Sequence, residues 1–371
     1  MLALSDYLYP FYTVVLLMSV LFSVLINRLM LKFSTNLGVR NKDNIQQVRW
    51  SSTSKPALGG ISFFIIFLIS ISLLGAIPTE NSDVFDQRVL GIVTACILGF
   101  LLGLADDAYN TNPLVKFIGQ LTCAFILITT GVSIELTGIA SVDFIFTTVW
   151  VIGLMNSINM LDNMDAITTT TSIFIILGAI VILAVSGQYN SMYMVLLLGV
   201  LGALIGFLFF NWNPSSMYMG DTGSQFLGVY LAAISIIFMW NGFKLQNAEI
   251  LQVKQFVIPA LLFIVPLIDT TTVTFRRLMR KQSPFVGGKD HITHQLAILG
   301  LSDRGVAIAL SSVSAFSVVI VGLLVSGTIE WTYQVTFACV IYFFAMLAFM
   351  QVLYNRAQAK LKAREADNQG S

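Results

Sequence analysis

The chain reads as an all-α polytopic integral membrane protein, and three observations predict that class. Of its 371 residues, 56% are hydrophobic and 11% charged, where soluble domains carry about 25% charged residues. Its mean hydropathy is +0.83. Its apolar residues gather in eleven runs close to the ~20 residues that cross a hydrocarbon core, at about 8–28, 59–78, 88–105, 113–132, 143–160, 166–186, 192–210, 224–241, 254–274, 305–326 and 332–354.

Each run has its own boundary signals. The first is long enough to span, and Asp6 stands where a cleavable signal would be basic. The second opens at Gly59-Gly60, after Lys55-Pro56. The third closes in Gly103-Leu-Ala-Asp106-Asp107. The fourth starts at Pro113 and carries Lys116 and Gln120 one turn apart. The fifth runs into Asn156-Ser-Ile-Asn159-Met-Leu-Asp162-Asn163-Met-Asp165, from which the sixth departs. The seventh ends in a polar loop, Asn211 to Ser224, whose Pro214 and glycines break helix before the eighth begins. The ninth holds Asp269 two turns ahead of Arg276-Arg277. Cys96, Cys123 and Cys339 lie inside apolar runs and show neither metal spacing nor a disulfide framework, so they read as small hydrophobes. There is no internal repeat. Residues 1–354 are read as one transmembrane catalytic domain and 355–371 as a polar cytoplasmic tail that frays.

Charge orients the spans. Eleven crossings put Arg28, Lys32, Arg40, Lys42, Arg49, Lys55, Arg276, Arg277, Arg280, Lys281, Lys289, Arg304, Arg356, Lys360, Lys362 and Arg364 on one side. Only Arg88, Lys244 and Lys254 fall on the other, and Lys116 lies within a span. Cytoplasmic loops carry the basic excess, which predicts an outer N-terminus and a cytoplasmic C-terminus. The same side collects Asp106-Asp107, the Asn156–Asp165 run, Asn211 to Ser224, and Asp290 to His294. Four chain-distant polar motifs at one membrane face are the layout of an active site at the cytoplasmic face.

The motifs carry specific chemistry. If the helix continues through Asn156, Asn159, Asp162 and Asp165, steps of three residues wind them into a stripe over about half its circumference. A helix end emerging into water explains one or two such residues, not four. Carboxamides and carboxylates without a nearby basic residue attract a hard cation or a cationic group. Asp106 and Asp107 repel each other, so one keeps its proton unless a cation is present, which suits a metal site or a general base. Lys116 needs a partner, and a bound anion would serve, although it could also snorkel. Asp221, Thr222 and Ser224 offer N-cap chemistry to the eighth span. The free amides there favour phosphate, and Asp221 beside them can hold a divalent cation. Asp269 and Arg276, seven apart, share a face and read as a structural ion pair. His291 and His294, the only histidines, make a poor zinc site without a third ligand and fit phosphate recognition better.

Taken together, these residues resemble the polyprenyl-phosphate N-acetylhexosamine-1-phosphate transferase family, glycosyltransferase family 4, over about Lys55 to Ser302. Lys55-Pro56-Ala-Leu-Gly59-Gly60 is similar to its Pro-x-x-Gly-Gly segment. Asp106-Asp107, Lys116 with Gln120, Asn156 to Asp165, and Asn211 to Ser224 are similar to its successive polar motifs. Pro266-x-x-Asp269, Arg276-Arg277, Ser283-Pro284-Phe285 and Asp290-His291 to His294 resemble the undecaprenyl-phosphate GlcNAc-1-phosphate transferase branch. Asn163 and Ala166 stand where the family has glycines, Tyr218 where Phe is common, and Thr293 where its His-x-His-His pattern has a histidine.

The resemblance implies a bacterial inner-membrane, multi-pass enzyme that moves N-acetylhexosamine-1-phosphate from a UDP-sugar to undecaprenyl phosphate and releases UMP. It implies Mg2+, with Mn2+ as the substitute, held by Asp221 with help from Asn159. Asp106, Asp107 and Asp162 would be catalytic: Asp106 or Asp107 would orient or deprotonate the lipid phosphate, or a phospho-aspartate would form. Asp165, Asn211 and Tyr218 would contact uridine; Arg277, His291 and His294 would hold sugar or phosphate, with Lys116 and Asn156 also binding substrate. Expected partners are the UDP-N-acetylhexosamine, the polyprenyl phosphate and the bilayer, with a homodimer allowed and no nucleic acid. The competing class is a polytopic transporter or proton-coupled carrier, which would spread its acids along a midplane path.

Overall fold

The computed structural model describes residues 4–34, 55–74, 86–187, 192–242, 253–283, 288 and 290–369. Arg40, Lys42, Arg49, Lys244, Pro284, Phe285 and Lys289, used in the sequence reading, lie outside these residues. The described residues form thirteen helices: α1 (Leu4–Ser34), α2 (Gly59–Ser72), α3 (Gln87–Tyr109), α4 (Pro113–Thr129), α5 (Ala140–Leu161), α6 (Ile167–Val185), α7 (Met192–Asn211), α8 (Gly220–Ser235), α9 (Lys254–Leu262), α10 (Ile264–Met279), α11 (Ile292–Leu299), α12 (Asp303–Val325) and α13 (Tyr333–Gln369). Among them, eight are long and apolar enough to cross a membrane, or nine when α9 and α10 count as one broken span. The shorter apolar helices α2 and α4 account for the two remaining expected runs.

α8 is the axis of the bundle. Every residue from Thr222 to Ser235 is buried, as expected of a helix apolar all round, and it continues through one π-helical turn, Ile236–Trp240. α2, α3 and α5 pack against it. Small residues set the spacing. A Cβ on Gly60 would lie 2.2 Å from Gly223 N, and one on Gly103 would lie 2.2 Å from Asp221 O. Backbones therefore touch where α2 begins, α3 ends and α8 begins. Apolar lipid offers no hydrophobic drive for helix pairing, so close backbone approach supplies the packing. α1 uses the same device on α7, where Gly202 and Gly206 face Leu16 O and Val20 O, and Ser23 donates to Ala203 O at 2.6 Å.

Three expectations change. The ninth run is not one straight span: α9 and α10 meet at an angle of 85°. The break falls at Leu262–Phe263, four residues before Pro266, whose ring excludes a helical partner for the Leu262 carbonyl. The stripe of four polar residues is also interrupted. α5 stops at Leu161, Asp162 takes φ −77° and ψ 52°, and Ala166 turns left-handed at φ 66° before α6 begins. The tail does not fray at Asn355. α13 runs unbroken to Gln369 and docks on α11: Ala357 is buried, Gln358 Nε2 donates to Gln295 Oε1 at 3.3 Å, and Lys360 Nζ donates to Leu299 O at 3.2 Å.

Candidate active site

The helix ends around the start of α8 bring the acidic motifs together. Asp106, in the last turn of α3, accepts from Lys116 Nζ at 2.8 Å and from Thr111 N and Oγ1 at 3.0 and 2.6 Å. Lys116 sits in the first turns of α4, which Asn112 caps through Leu114 N. Its Nζ also lies 4.0 Å from Asp221 Oδ1. The partner that Lys116 required is therefore a carboxylate of the protein, with a second carboxylate within reach. Asp221, in the first turn of α8, is about a third exposed and is held from α5 by Asn159, whose Nδ2 donates to Asp221 Oδ1 and, at 2.8 Å, to Ser224 Oγ. Asn159 thus turns an N–H towards the acid, which makes it an orienting residue for Asp221 rather than a metal ligand through that atom.

Asp107 has a different task from the one expected. Its carboxylate accepts from Asp221 N at 3.1 Å and from Thr222 N and Oγ1 at 2.8 and 2.7 Å. It is the N-terminal cap of α8, supplied by another helix. The amides expected to wait for phosphate are satisfied by the protein's own anion, where the helix dipole favours it. Gly220 makes room: at φ 77°, a Cβ there would lie 2.7 Å from Asp107 Oδ2.

Asp162, partly buried just past the end of α5, lies close enough to Asp221 and Asp107 to feel their charges. Burial and the neighbouring charges of Asp221, Asp107 and Asp165 push its carboxyl up to about 8. Burial is the larger cause, and the three neighbouring acids act in the same direction. Among the described residues, no three acidic, histidine or cysteine side chains form a metal cage by themselves.

A second cluster lies beside the first. Lys55 Nζ sits 5.1 Å from the centre of the Tyr218 ring, donates to Ser215 Oγ at 3.0 Å, and lies 3.7 Å from Asp165 Oδ2. Asp165 also accepts from Ser215 N and Oγ at 2.9 and 2.7 Å and from Asn213 Nδ2 at 3.0 Å. Backbone bonds from Tyr218 N to Pro56 O and from Gly59 N to Tyr218 O lock the two segments together. Lys55 is the basic member of this cluster that sequence reasoning missed as a site residue. Its signal was its place one residue before Pro56, at the opening of a Gly-Gly span.

The third cluster is formed by α10 and α11. Asp269 accepts from Ile292 N at 2.8 Å and pairs with His291 Nδ1 at 2.8 Å. Its partner is therefore the histidine rather than Arg276. Arg276 instead donates to Asp290 O at 2.9 Å, under the ring of Tyr354 at 4.0 Å. Arg277 grips Asp290 through Nε at 2.8 Å and Nη2 at 2.6 Å. Burial would raise the Asp290 carboxyl, but this bidentate guanidinium holds it below the usual range. His294 packs edge-on against His291, with ring centres 5.9 Å apart.

Two expected substrate contacts are bonded to the protein itself. Asn211 is buried; its oxygen accepts from Ala166 N and Thr169 Oγ1, and its nitrogen donates to Met217 O. Asn156 exchanges bonds with Gln120, which also donates to Gln225 at 3.1 Å, so these carboxamides tie α4 and α5 to α8. Arg277, expected on sugar or phosphate, is engaged by Asp290. The acids lie at helix ends at one end of the bundle, not along a central path, which is the arrangement of an interfacial site rather than a carrier.

Comparison with known proteins adds a lineage to this geometry. The family description "Glycosyl transferase family 4" matches residues 89–239. A probable undecaprenyl-phosphate N-acetylglucosaminyl 1-phosphate transferase of Bacillus subtilis is 31% identical over 258 residues, 67% of each chain. A decaprenyl-phosphate N-acetylglucosaminephosphotransferase of Mycolicibacterium smegmatis is 26% identical over 67% of this chain and 66% of its own. A phospho-N-acetylmuramoyl-pentapeptide-transferase of Oceanobacillus iheyensis is 31% identical over 78% of this chain and 90% of its own.

Proposed function

Because the chain belongs to glycosyl transferase family 4 and is a membrane-embedded sugar-phosphate transferase, we propose that it transfers N-acetylhexosamine-1-phosphate, GlcNAc-1-phosphate first among the candidates, from a UDP-sugar to a polyprenyl phosphate such as undecaprenyl phosphate. The product is the first lipid-linked intermediate of a cell-envelope polysaccharide, formed at the cytoplasmic face of a bacterial inner membrane. The observation that carries this reading is the corner at the start of α8, where Asp106, Lys116 and a partly exposed Asp221 meet at the ends of three helices.

An oxygen of the lipid phosphate attacks the β-phosphorus of the donor. The new P–O bond forms as the bond to the bridging oxygen breaks, and that oxygen leaves on UMP. The acceptor is already an anion at neutral pH, so direct attack requires no proton removal. Asp106 is tied to Lys116 and Thr111, and Asp107 to the start of α8. Those commitments favour direct displacement over a phospho-aspartate. Lys116, which donates to Asp106 and stands 4.0 Å from Asp221, would share its charge with the transferring phosphoryl group. Asn159 fixes the direction of Asp221.

The donor set suits a hard cation, since oxygen ligands dominate and magnesium needs only one or two carboxylates plus substrate phosphates and waters. Asp221 and Asp162 are the residues that would hold Mg2+, which when bound would neutralise the diphosphate and the leaving UMP. Lys55, Tyr218 and Asp165 flank this corner as the uridine side; the start of α11, where His291 is buried against Asp269 and His294 is buried beside it, would be the sugar side.

The test is UMP release by purified protein with undecaprenyl phosphate, magnesium and UDP-GlcNAc. Lipid-dependent release that disappears with Asp221→Asn and with a chelator is the expected result. Silence with every UDP-amino sugar, in folded protein, would overturn the reading.

A further inference from the structure

On the transferase reading above, the donor spans the distance between the acidic corner and the histidine helix. Two side chains that stand in neither cluster connect them. Thr293 lies between His291 and His294, fully buried, in the first turn of α11. Its hydroxyl donates to Asn163 Oδ1 across 130 positions of sequence. Asn163 follows Asp162 directly, and its Nδ2 donates to Met160 O at 2.8 Å, closing the end of α5. Asn163 therefore uses one end of its carboxamide to fix the turn that carries Asp162, and the other to hold the helix that carries both histidines.

Asn163 and Thr293 are two of the four departures noted above from the pattern that the sequence resembles, an asparagine in place of a glycine and a threonine in place of a histidine. A glycine at 163 would have no acceptor to offer, and the two departures complete each other as one hydrogen bond.

We propose that Asn163 and Thr293 act as a positioning pair that sets the span between the acidic corner and His291–His294, and so selects which donor sugar fits between them. The donor's diphosphate belongs at Asp162 and Asp221 and its sugar at the histidines, so this bond measures the donor and not the lipid acceptor. α11 has other restraints, through His291 to Asp269 and through α13. Losing the pair therefore shifts the first turn of α11 without unfolding it.

The test is a double-mutant cycle on the full-length protein, with kinetics for donor and acceptor measured separately. Thr293→Val leaves the half-buried Asn163 carboxamide oxygen without its donor, and should raise the KM for UDP-GlcNAc roughly ten-fold, with the acceptor KM within two-fold. Thr293→Ser keeps the hydroxyl and should restore the donor KM. Asn163→Ala should match Thr293→Val, and the double variant should be no worse than either single one. The preference for UDP-GlcNAc over UDP-GalNAc should narrow in both single variants. Additive losses, equal rises in donor and acceptor KM, or an unchanged donor KM in protein of wild-type thermal midpoint would each overturn the proposal. Wild-type protein inactive with every UDP-sugar would instead remove the transferase reading, and this inference with it.

Discussion

Gly103→Ala tests the architecture most directly, because it adds one carbon where two backbones touch. The new Cβ would sit 2.2 Å from Asp221 O, 2.5 Å from Asp221 C and 2.6 Å from Thr222 Cα, where an ordinary contact begins at 3.4 Å. No flexible side chain can yield there, so α3 and the start of α8 must part by about 1.2 Å, the shortfall in that contact. Overpacking of this kind costs about 1–3 kcal/mol, partly offset by alanine's better helix propensity of about 1 kcal/mol. The larger effect is on the site. Asp106 rides on α3 and Asp221 on α8, and a misplacement of about 1 Å costs about 100-fold in rate. UMP release under saturating donor and acceptor should therefore show kcat down about 100-fold, with a thermal midpoint lowered by only a few degrees. Gly153→Ala is the control, because nothing lies within 4 Å of its added Cβ. Wild-type kcat in the Gly103→Ala protein would refute the claim that backbone contact between α3 and α8 sets the acid corner.

Other consequences follow from the same contacts. Asp107→Ala removes the cap of α8 together with its favourable charge, a loss of about 2–3 kcal/mol in an unfolding titration, whereas Asp107→Asn keeps one acceptor and should lose about 1; wild-type stability in Asp107→Ala would contradict the capping role. Asp162 titrates at about 8 when folded and near 3.9 when unfolded, so the folded state binds more protons between those values. Its contribution to stability is present below pH ~4 and declines as pH rises towards about 8. Magnesium should flatten that decline by replacing the proton, and Asp162→Asn should abolish it; a metal-free stability curve unchanged by Asp162→Asn would dismiss the assignment. Tyr354→Ala removes the ring from Arg276 and should raise the donor KM several-fold while Tyr354→Phe stays near wild type; equal effects of the two would assign the role to the hydroxyl, which bonds Arg280.

Much of this was legible in the sequence, because apolar run length and the clustering of acids at span ends are local signals. Asp162 was found through its repeated polar spacing, Asp106 as one of two adjacent acids closing a span, Asp221 through the cap chemistry at the start of the eighth, and Lys116 through the cost of a lysine near hydrocarbon. What escaped were partnerships fixed by three-dimensional approach. Nothing local says that Asp107 will cap a helix 113 residues away, or that Asp269 will choose His291 over an arginine seven residues on. Both depend on glycines permitting backbones to touch and on an 85° bend after Leu262 that turns α10 towards α11. That bend had a local signal in Pro266, read as a motif residue and not as a breaker. Asn211 looked like a substrate contact because the loop it opens resembles the family's motif. Its burial against Ala166 and Thr169 could not be seen without knowing that the turn after α5 folds back on it.

The docked end of α13 gives the bilayer a lever on the site. From Tyr333 to Gln369 the helix contains neither glycine nor proline, so it has no built-in hinge between its lipid-facing half and the stretch that touches Arg276 and α11. Tyr354 lies about 16 Å along the axis from the middle of the apolar stretch at 1.5 Å per residue, and a tilt of roughly 5° about that middle would carry its ring by about 1.4 Å. Tilt is what a helix adjusts when hydrocarbon thickness changes. A change in hydrocarbon thickness would thereby reach, through one continuous helix, the arginine that holds the loop before His291.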